Sequence, residues 1–304
     1  MNTDIKNMSH SVRQRLMNLR KIRGEGFQFL LTRFTLERFL FRLCQSRHGD
    51  KFALKGALLI SAWANQPYRP TQDLDLSGFR ECSPERLLKI VSEICRTKVA
   101  PDGLVFDIDN ISISEIRDDM DYGGQCIKMK AFLGKATIPV RIDIAFGDAI
   151  TPGPATLSFP ALLDMPNAQV QSYTKETVIA EKLQAAVILG IRNSRMKDFF
   201  DLFWLSRFFS FEGEILVKAI QATFKRRKTK LPARRPFPLT EGFASDPAKQ
   251  TQWGAFLRKN DIAHMPAEFE KVISELGGFL VLPLKYAAGA RAFNKVWKPG
   301  GAWK

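Results

Sequence analysis

The chain has 304 residues, 45% hydrophobic and 25% charged, which suits a protein with two cored domains and excludes a disordered or fibrous chain. Its 46 Lys and Arg against 31 Asp and Glu leave a net charge of +15, which favours a polyanionic partner, nucleic acid first. No apolar run approaches the roughly 18–20 residues that span a bilayer, the polar N-terminus has no signal-peptide core, and the four cysteines and three histidines are scattered; the expectation is a cytoplasmic protein with reduced cysteines and no zinc site.

Residues 10–46 predict two amphipathic helices broken near Gly24 and Gly26. Phe52-Ala53-Leu54 reads as a short strand running into Gly56, followed by a brief helix over 57–64 that Pro67 and Pro70 end. A strand follows over 72–77. Ser83-Pro84-Glu85 then starts a helix that runs to about Lys98, with a serine cap and proline in the first turn. Strands are expected over 104–116, 126–133 and Ala136–Phe146, with a turn at Asp121-Tyr122-Gly123-Gly124. In the third, Val140, Ile142 and Ile144 take one face, and Arg141, Asp143 and Ala145 the other. Asp143, set among apolar neighbours, needs a partner. Residues 151–170 hold four prolines and read as a linker or packed loop. Thr174 caps a helix over 175–189 that Gly190 ends, a second helix runs from Ser194 to Phe208, and further helices are expected over 213–228, 247–259 and 266–276.

Asp73-Leu74-Asp75 carries the strongest chemical signal. Residues two apart on a strand share a face, so two carboxylates stand side by side at the end of an apolar strand. At roughly 4 Å they repel by about 4 kcal/mol at an effective dielectric of about 20, which a bound cation relieves. Gly56, where a strand opens into a helix, offers backbone amides to a phosphate, with Lys55 beside it as added charge or as a surface residue. Asp143 is the third carboxylate of the same candidate site. Carboxylates, Mg²⁺ and a phosphate cradle together point to phosphoryl or nucleotidyl transfer. Lys182 lies on an apolar helix, and Asp198 and Asp201 share one face of the next. A helical hairpin brings the lysine against one of them, either as a structural ion pair or as a group on a triphosphate. Residues 192–235 hold twelve basic and four acidic residues, net +8, and read as a surface for a phosphate backbone.

Taken in order, Lys55-Gly56, Asp73-Leu74-Asp75, Arg141-Ile142-Asp143-Ile144, Ala180-Glu181-Lys182-Leu183 and Lys197-Asp198 through Asp201-Leu202 resemble the motifs of AbiEii-type nucleotidyltransferases. These are toxins of type IV toxin–antitoxin systems within the polymerase-β-like superfamily. The resemblance covers residues 30–210. It implies an α/β fold: a polymerase-β-like nucleotidyltransferase domain with a mixed sheet over 1–160, then a mainly helical domain over 161–304. It further implies Mg²⁺-dependent transfer of nucleotides from an NTP. The acceptor in several members is the 3′ end of tRNA, and a cognate antitoxin restrains the toxin in an abortive-infection, phage-defence role. By motif, Asp73, Asp75 and Asp143 match the metal carboxylates. Lys182 and Asp198 match catalytic positions, and Lys55, Gly56, Ala57, Lys182 and Asp201 match nucleotide-binding ones. Ala57 departs from the small polar residue or glycine usual after the first glycine, which removes a hydroxyl worth about 1–3 kcal/mol toward a phosphate. The alternatives are a nucleotidyltransferase acting on a protein or small-molecule hydroxyl, and a non-catalytic regulator that binds NTP or nucleic acid.

Overall fold

The structure, a computed structural model, describes residues 3–64, 68–116, 123–290 and 292–304. Pro67 and the predicted turn residues Asp121 and Tyr122 lie outside the described residues. The chain forms two compact units. One comprises residues 1–148 and 155–172, and the other residues 149–154 and 173–304.

The first unit is a mixed α/β layer structure. Its strands are β1 (Phe52–Lys55), β2 (Asp73–Gly78), β3 (Leu104–Phe106), β4 (Ser112–Ile116), β5 (Gly124–Leu133), β6 (Ala136–Phe146), β7 (Ala155–Phe159) and β8 (Ala168–Ser172). They form one eight-stranded sheet in the order β3-β5-β6-β2-β1-β8-β7, with β4 also pairing with β5. Pairing is parallel for β2 with β6 and β1 with β8, and antiparallel elsewhere. The helices are α1 (Thr3–Arg23), α2 (Phe27–Gln45), α3 (Gly56–Trp63) and α4 (Pro84–Arg96). The break at 24–26 and the Ser83 cap, whose side chain accepts from the Arg86 amide at 3.3 Å, are as the sequence predicts.

Alternation fixes the sheet. Leu74 and Leu76 of β2 and Val140, Ile142 and Ile144 of β6 are at most 2% exposed, and α2 packs against β6 and β8. Fully burying each such side chain contributes about 1.5–3 kcal/mol. A one-residue slip would bury Asp73 and Asp75 and expose the leucines, so the apolar set pins the carboxylates to the other face.

The sequence reading differs from the structure in three places. Residues 104–116 divide into two strands, β3 and β4. Residues 151–170 are not a linker but supply β7 and much of β8, whose ends the prolines mark: Pro154 precedes Ala155, Pro160 follows Phe159 and Pro166 stands just before Ala168. Proline suits strand ends because it has no ladder donor to lose there. The third difference concerns the last helix of the second unit.

A buried charge cluster secures α2. Arg42 forms two hydrogen bonds to Asp102, at 2.6 and 3.0 Å, while Glu37 accepts from the Leu162 amide at 2.7 Å. Burial raises the Glu37 carboxyl to about 7, although the Leu162 amide and Arg38 oppose the shift. Between pH ~4.5 and ~7 the folded state therefore holds a proton that the unfolded state has released. Folding takes up that proton, so stability falls as pH rises through this window, by up to about 3 kcal/mol. Glu37→Gln is expected to remove this part of the pH dependence, read from urea midpoints at pH 5 and 7.5.

The second unit is helical: α5 (Lys175–Leu189), α6 (Met196–Phe208), α7 (Gly213–Arg226), α8 (Glu241–Ala244), α9 (Pro247–Lys259) and α10 (Phe269–Ala288), with a small ladder of β9 (Phe211–Glu212) and β10 (Val296–Trp297). Thr174 caps α5, accepting from the Thr177 amide. The core is aromatic, with Trp204, Trp253, Phe199, Phe243 and Phe279 at 2% exposure or less. The final helix, expected over 266–276, instead runs on through Gly277, Gly278 and Pro283, because Phe279, Leu280 and Leu284 are buried and tertiary packing overrides local propensity. Among the described residues no helix is long and apolar enough to cross a membrane.

Candidate active site

Asp73, Asp75 and Ser77 lie on one face of β2, and Arg141 and Asp143 lie on the same face of β6 beside them. The register sets Asp75 against Asp143 on one side and against Lys55 of β1 on the other. Lys55, Asp75 and Asp143 thus form a row across three neighbouring strands, each about 5 Å from the next in backbone. Asp73 stands in the next row, beside Arg141.

Gly56 is held against this row. Its φ is +71°, and a Cβ placed on it would overlap the Asp75 carboxylate, with Asp75 Cγ at 2.6 Å and Cβ at 2.8 Å. Only glycine permits both the left-handed turn into α3 and the close approach of Asp75. Gly56→Ala is expected to cost about 1–2 kcal/mol in backbone strain alone and to displace Asp75. Loss of transfer with a thermal midpoint lowered by only a few degrees would record both effects. Ala57 is buried, and the Ser61 hydroxyl donates to Leu58 O at 2.7 Å, so that hydroxyl serves the helix itself.

Several partners escaped the sequence reading. Lys55 Nζ donates to Asp148 Oδ2 at 2.8 Å, and the Ser77 hydroxyl lies 3.4 Å from the same oxygen. Lys55 is therefore neither a plain surface lysine nor directed solely at a ligand. Asp148 stands two residues past the end of β6, where strand periodicity no longer signals it. Arg141 donates to both oxygens of Asp143, at 2.9–3.1 Å, which supplies the partner the sequence demanded. These hydrogen bonds raise the guanidinium above its ordinary range. Burial, then the adjoining Asp143 carboxylate, pushes the Cys126 thiol up.

Among the described residues no group of three or more His, Cys, Asp or Glu is gathered tightly enough to hold a metal ion. Mg²⁺, however, is typically held by one or two carboxylates, the remaining ligands coming from substrate phosphates and water. Asp73 and Asp75, adjacent on one face, fit that donor set. Asp143 is drawn to Arg141 rather than into a three-carboxylate shell.

In the helical unit, Lys182 Nζ lies 2.7 Å from Asp198 Oδ1 and 2.8 Å from Asp201 Oδ2, and Arg195 Nε donates to Asp198 Oδ2 at 2.7 Å. The hairpin of α5 and α6 brings the lysine to both aspartates, not one. Burial pushes the Asp198 carboxyl up, but Lys182 and Arg195 more than offset it and leave it below the usual carboxylate range. The basic stretch 192–235 divides. Arg227 is tied to Glu181 at 2.8 Å, Arg207 to Glu275 and Lys218 to Glu214, whereas Lys197, Lys225, Lys228, Lys230 and Arg234 are exposed.

A protein-family model described as nucleotidyl transferase AbiEii toxin, type IV TA system, matches residues 38–275. No curated protein matches the chain. Among solved structures, one described as a proposed nucleotidyltransferase from H. pylori is similar over 86% of this chain and 95% of its own, with 16% identity and a TM-score of 0.45. JHP933 from Helicobacter pylori is similar over 86% and 92%, with 17% identity and a TM-score of 0.47.

Proposed function

Because this chain belongs to the AbiEii family of nucleotidyl transferase toxins of type IV toxin–antitoxin systems, we propose that it transfers a nucleotide from an NTP to the 3′ hydroxyl of an RNA, the tRNA 3′ end first. The family supplies the coarser statement: an NTP-dependent nucleotidyltransferase with a cognate antitoxin. The observation that carries the site assignment is the row Lys55, Asp75, Asp143 with Gly56 pressed against Asp75.

In this reading Asp73 and Asp75 would hold Mg²⁺. The ion would neutralise charge on the triphosphate and on the departing pyrophosphate. The Gly56 turn and Lys55 lie on the β1 side of the carboxylates and take the phosphates. Asp143, oriented by Arg141, accepts the proton of the attacking hydroxyl. The ribose 3′ oxygen bonds to the α-phosphorus, the α–β phosphoanhydride breaks, and pyrophosphate leaves with the electron pair. Lys182, Asp198 and Asp201 remain assigned to nucleotide handling on the motif match alone. The net charge of +15 and the exposed cations of 192–235 favour RNA as acceptor over a cationic small molecule.

The test supplies each α-labelled NTP with tRNA bearing a free 3′ hydroxyl or a 3′ phosphate. Label confined to the free-hydroxyl RNA is the expected result. Label on both RNAs, or on a protein, would refute the assigned acceptor.

A further inference from the structure

β5 carries two lysines on the carboxylate face of the sheet. Its register sets Cys126 beside Asp143, Lys128 beside Arg141 and Lys130 beside Pro139. Lys128 and Lys130 are exposed, while Ile127 and Met129 between and before them are buried against the other face. Lysines on a sheet commonly guard an edge. That explanation fails here: β6 pairs along the whole of β5 on one side, and on the other β4 pairs as far as Lys128, β3 pairs from Ala131 on, and the Asp107 amide donates to the Lys130 carbonyl between them.

Neither lysine has an ion-pair partner among the described residues. Lys128 faces Arg141 directly, and like charges set opposite one another on neighbouring strands are destabilising. Arg141 is compensated by Asp143; Lys128 faces Ser112 on its other side and is not. The fold therefore maintains positive charge without an ion-pair partner at Lys128, beside the carboxylates, at a cost that an anionic ligand would offset; Lys130, whose carbonyl accepts from the Asp107 amide at 2.8 Å, adds an exposed cation two residues further along the strand.

Position identifies the ligand. Gly56 and Lys55 flank Asp75 from β1, and Arg141 and Lys128 flank the carboxylates from the opposite side, through β6 and β5. In phosphoryl transfer the attacking and leaving oxygens lie roughly in line, on opposite sides of the phosphorus. With the triphosphate on the β1 side, the attacking strand approaches from the β5 side. Lys128 and Lys130 are two residues apart, about 7 Å along the strand, so each can meet a different phosphate of an extended chain. Resting on the nucleotidyltransferase reading above, we propose that Lys128 and Lys130 bind the phosphodiester backbone of the single-stranded 3′ end of the acceptor RNA, next to its attacking hydroxyl.

The experiment measures binding of a fluorescent RNA with a single-stranded 3′ end, by polarisation across a salt series. It compares the parent with Lys128→Gln/Lys130→Gln and with Lys259→Gln/Lys271→Gln, which removes two exposed charges from the helical unit. Two lost phosphate contacts on a single strand are expected to lower the salt slope by about 1.4 and to weaken binding about tenfold at low salt. NTP affinity stays at the parental value, the melting temperature holds or rises slightly as the repulsion between Lys128 and Arg141 is relieved, and the control variant keeps the parental slope. An unchanged slope and affinity in the Lys128/Lys130 variant would overturn the proposal. RNA binding that depends on these lysines, with no nucleotide transfer, would uphold it while refuting the catalytic reading.

Discussion

Asp75→Asn is expected to abolish nucleotide transfer while leaving the fold intact. Asp75 is central to its row, beside Asp143, beside Lys55 and against Gly56. An amide of the same shape keeps the packing but carries no charge for a divalent ion. Several kcal/mol of transition-state stabilisation then disappear, on the order of 10³-fold in rate. Stability should hold, because relief of the repulsion from Asp73 is set against the loss of attraction to Lys55 across the β1–β2 pair. A melting temperature within a few degrees of the parent, with transfer lost, is the expected pair of results. A variant that retains transfer would remove Asp75 from the mechanism.

The second large effect concerns stability. Lys182→Met is expected to destabilise the helical unit by about 3–5 kcal/mol, the usual cost of removing one partner from a buried ion pair. Asp198 and Asp201 are 3% and 0% exposed, and both lie within 2.8 Å of the lysine ammonium. Arg195 still compensates Asp198, so Asp201 bears most of the loss. Chemical denaturation at pH 7 measures the cost. Without Lys182 the carboxyls favour protonation, so the gap between parent and variant should narrow as pH falls toward 4. Lys182→Met/Asp201→Asn should recover part of the stability at pH 7. Full stability in the single variant would show that the pair contributes little, and would direct attention to a ligand-facing role for the lysine.

Local chemistry made much of this legible in the sequence. Alternation placed Val140, Ile142 and Ile144 opposite Arg141 and Asp143, and the structure buries the first set and leaves the second half-buried or exposed. The Asp-Leu-Asp spacing, the glycine turn and the Lys182–aspartate contact follow from period and position alone. What stayed hidden depends on long-range pairing. That β2 runs parallel to β6, so that Asp75 meets Asp143, is a property of strand order and not of either segment. Asp148 lies beyond the end of its strand and becomes a partner of Lys55 only because β1, β2 and β6 are neighbours. The prolines of 151–170 read as breakers, although they bracket strands; a proline outside a strand end and one inside it look the same in a window of sequence. The helix expected over 266–276 runs on through Gly277, whose bare Cα lets the Arg235 guanidinium pass close to α10, where a Cβ would collide with it.

Counting products decides whether the protein joins a nucleotide to RNA. Purified protein, RNA with a free 3′ hydroxyl, Mg²⁺ and each α-labelled NTP are incubated, and RNA label and pyrophosphate are measured together. One pyrophosphate is expected for each nucleotide joined to RNA by the parent, and neither product from Asp75→Asn. Equal incorporation by the variant, or pyrophosphate release that leaves the RNA unlabelled with every NTP, would contradict it.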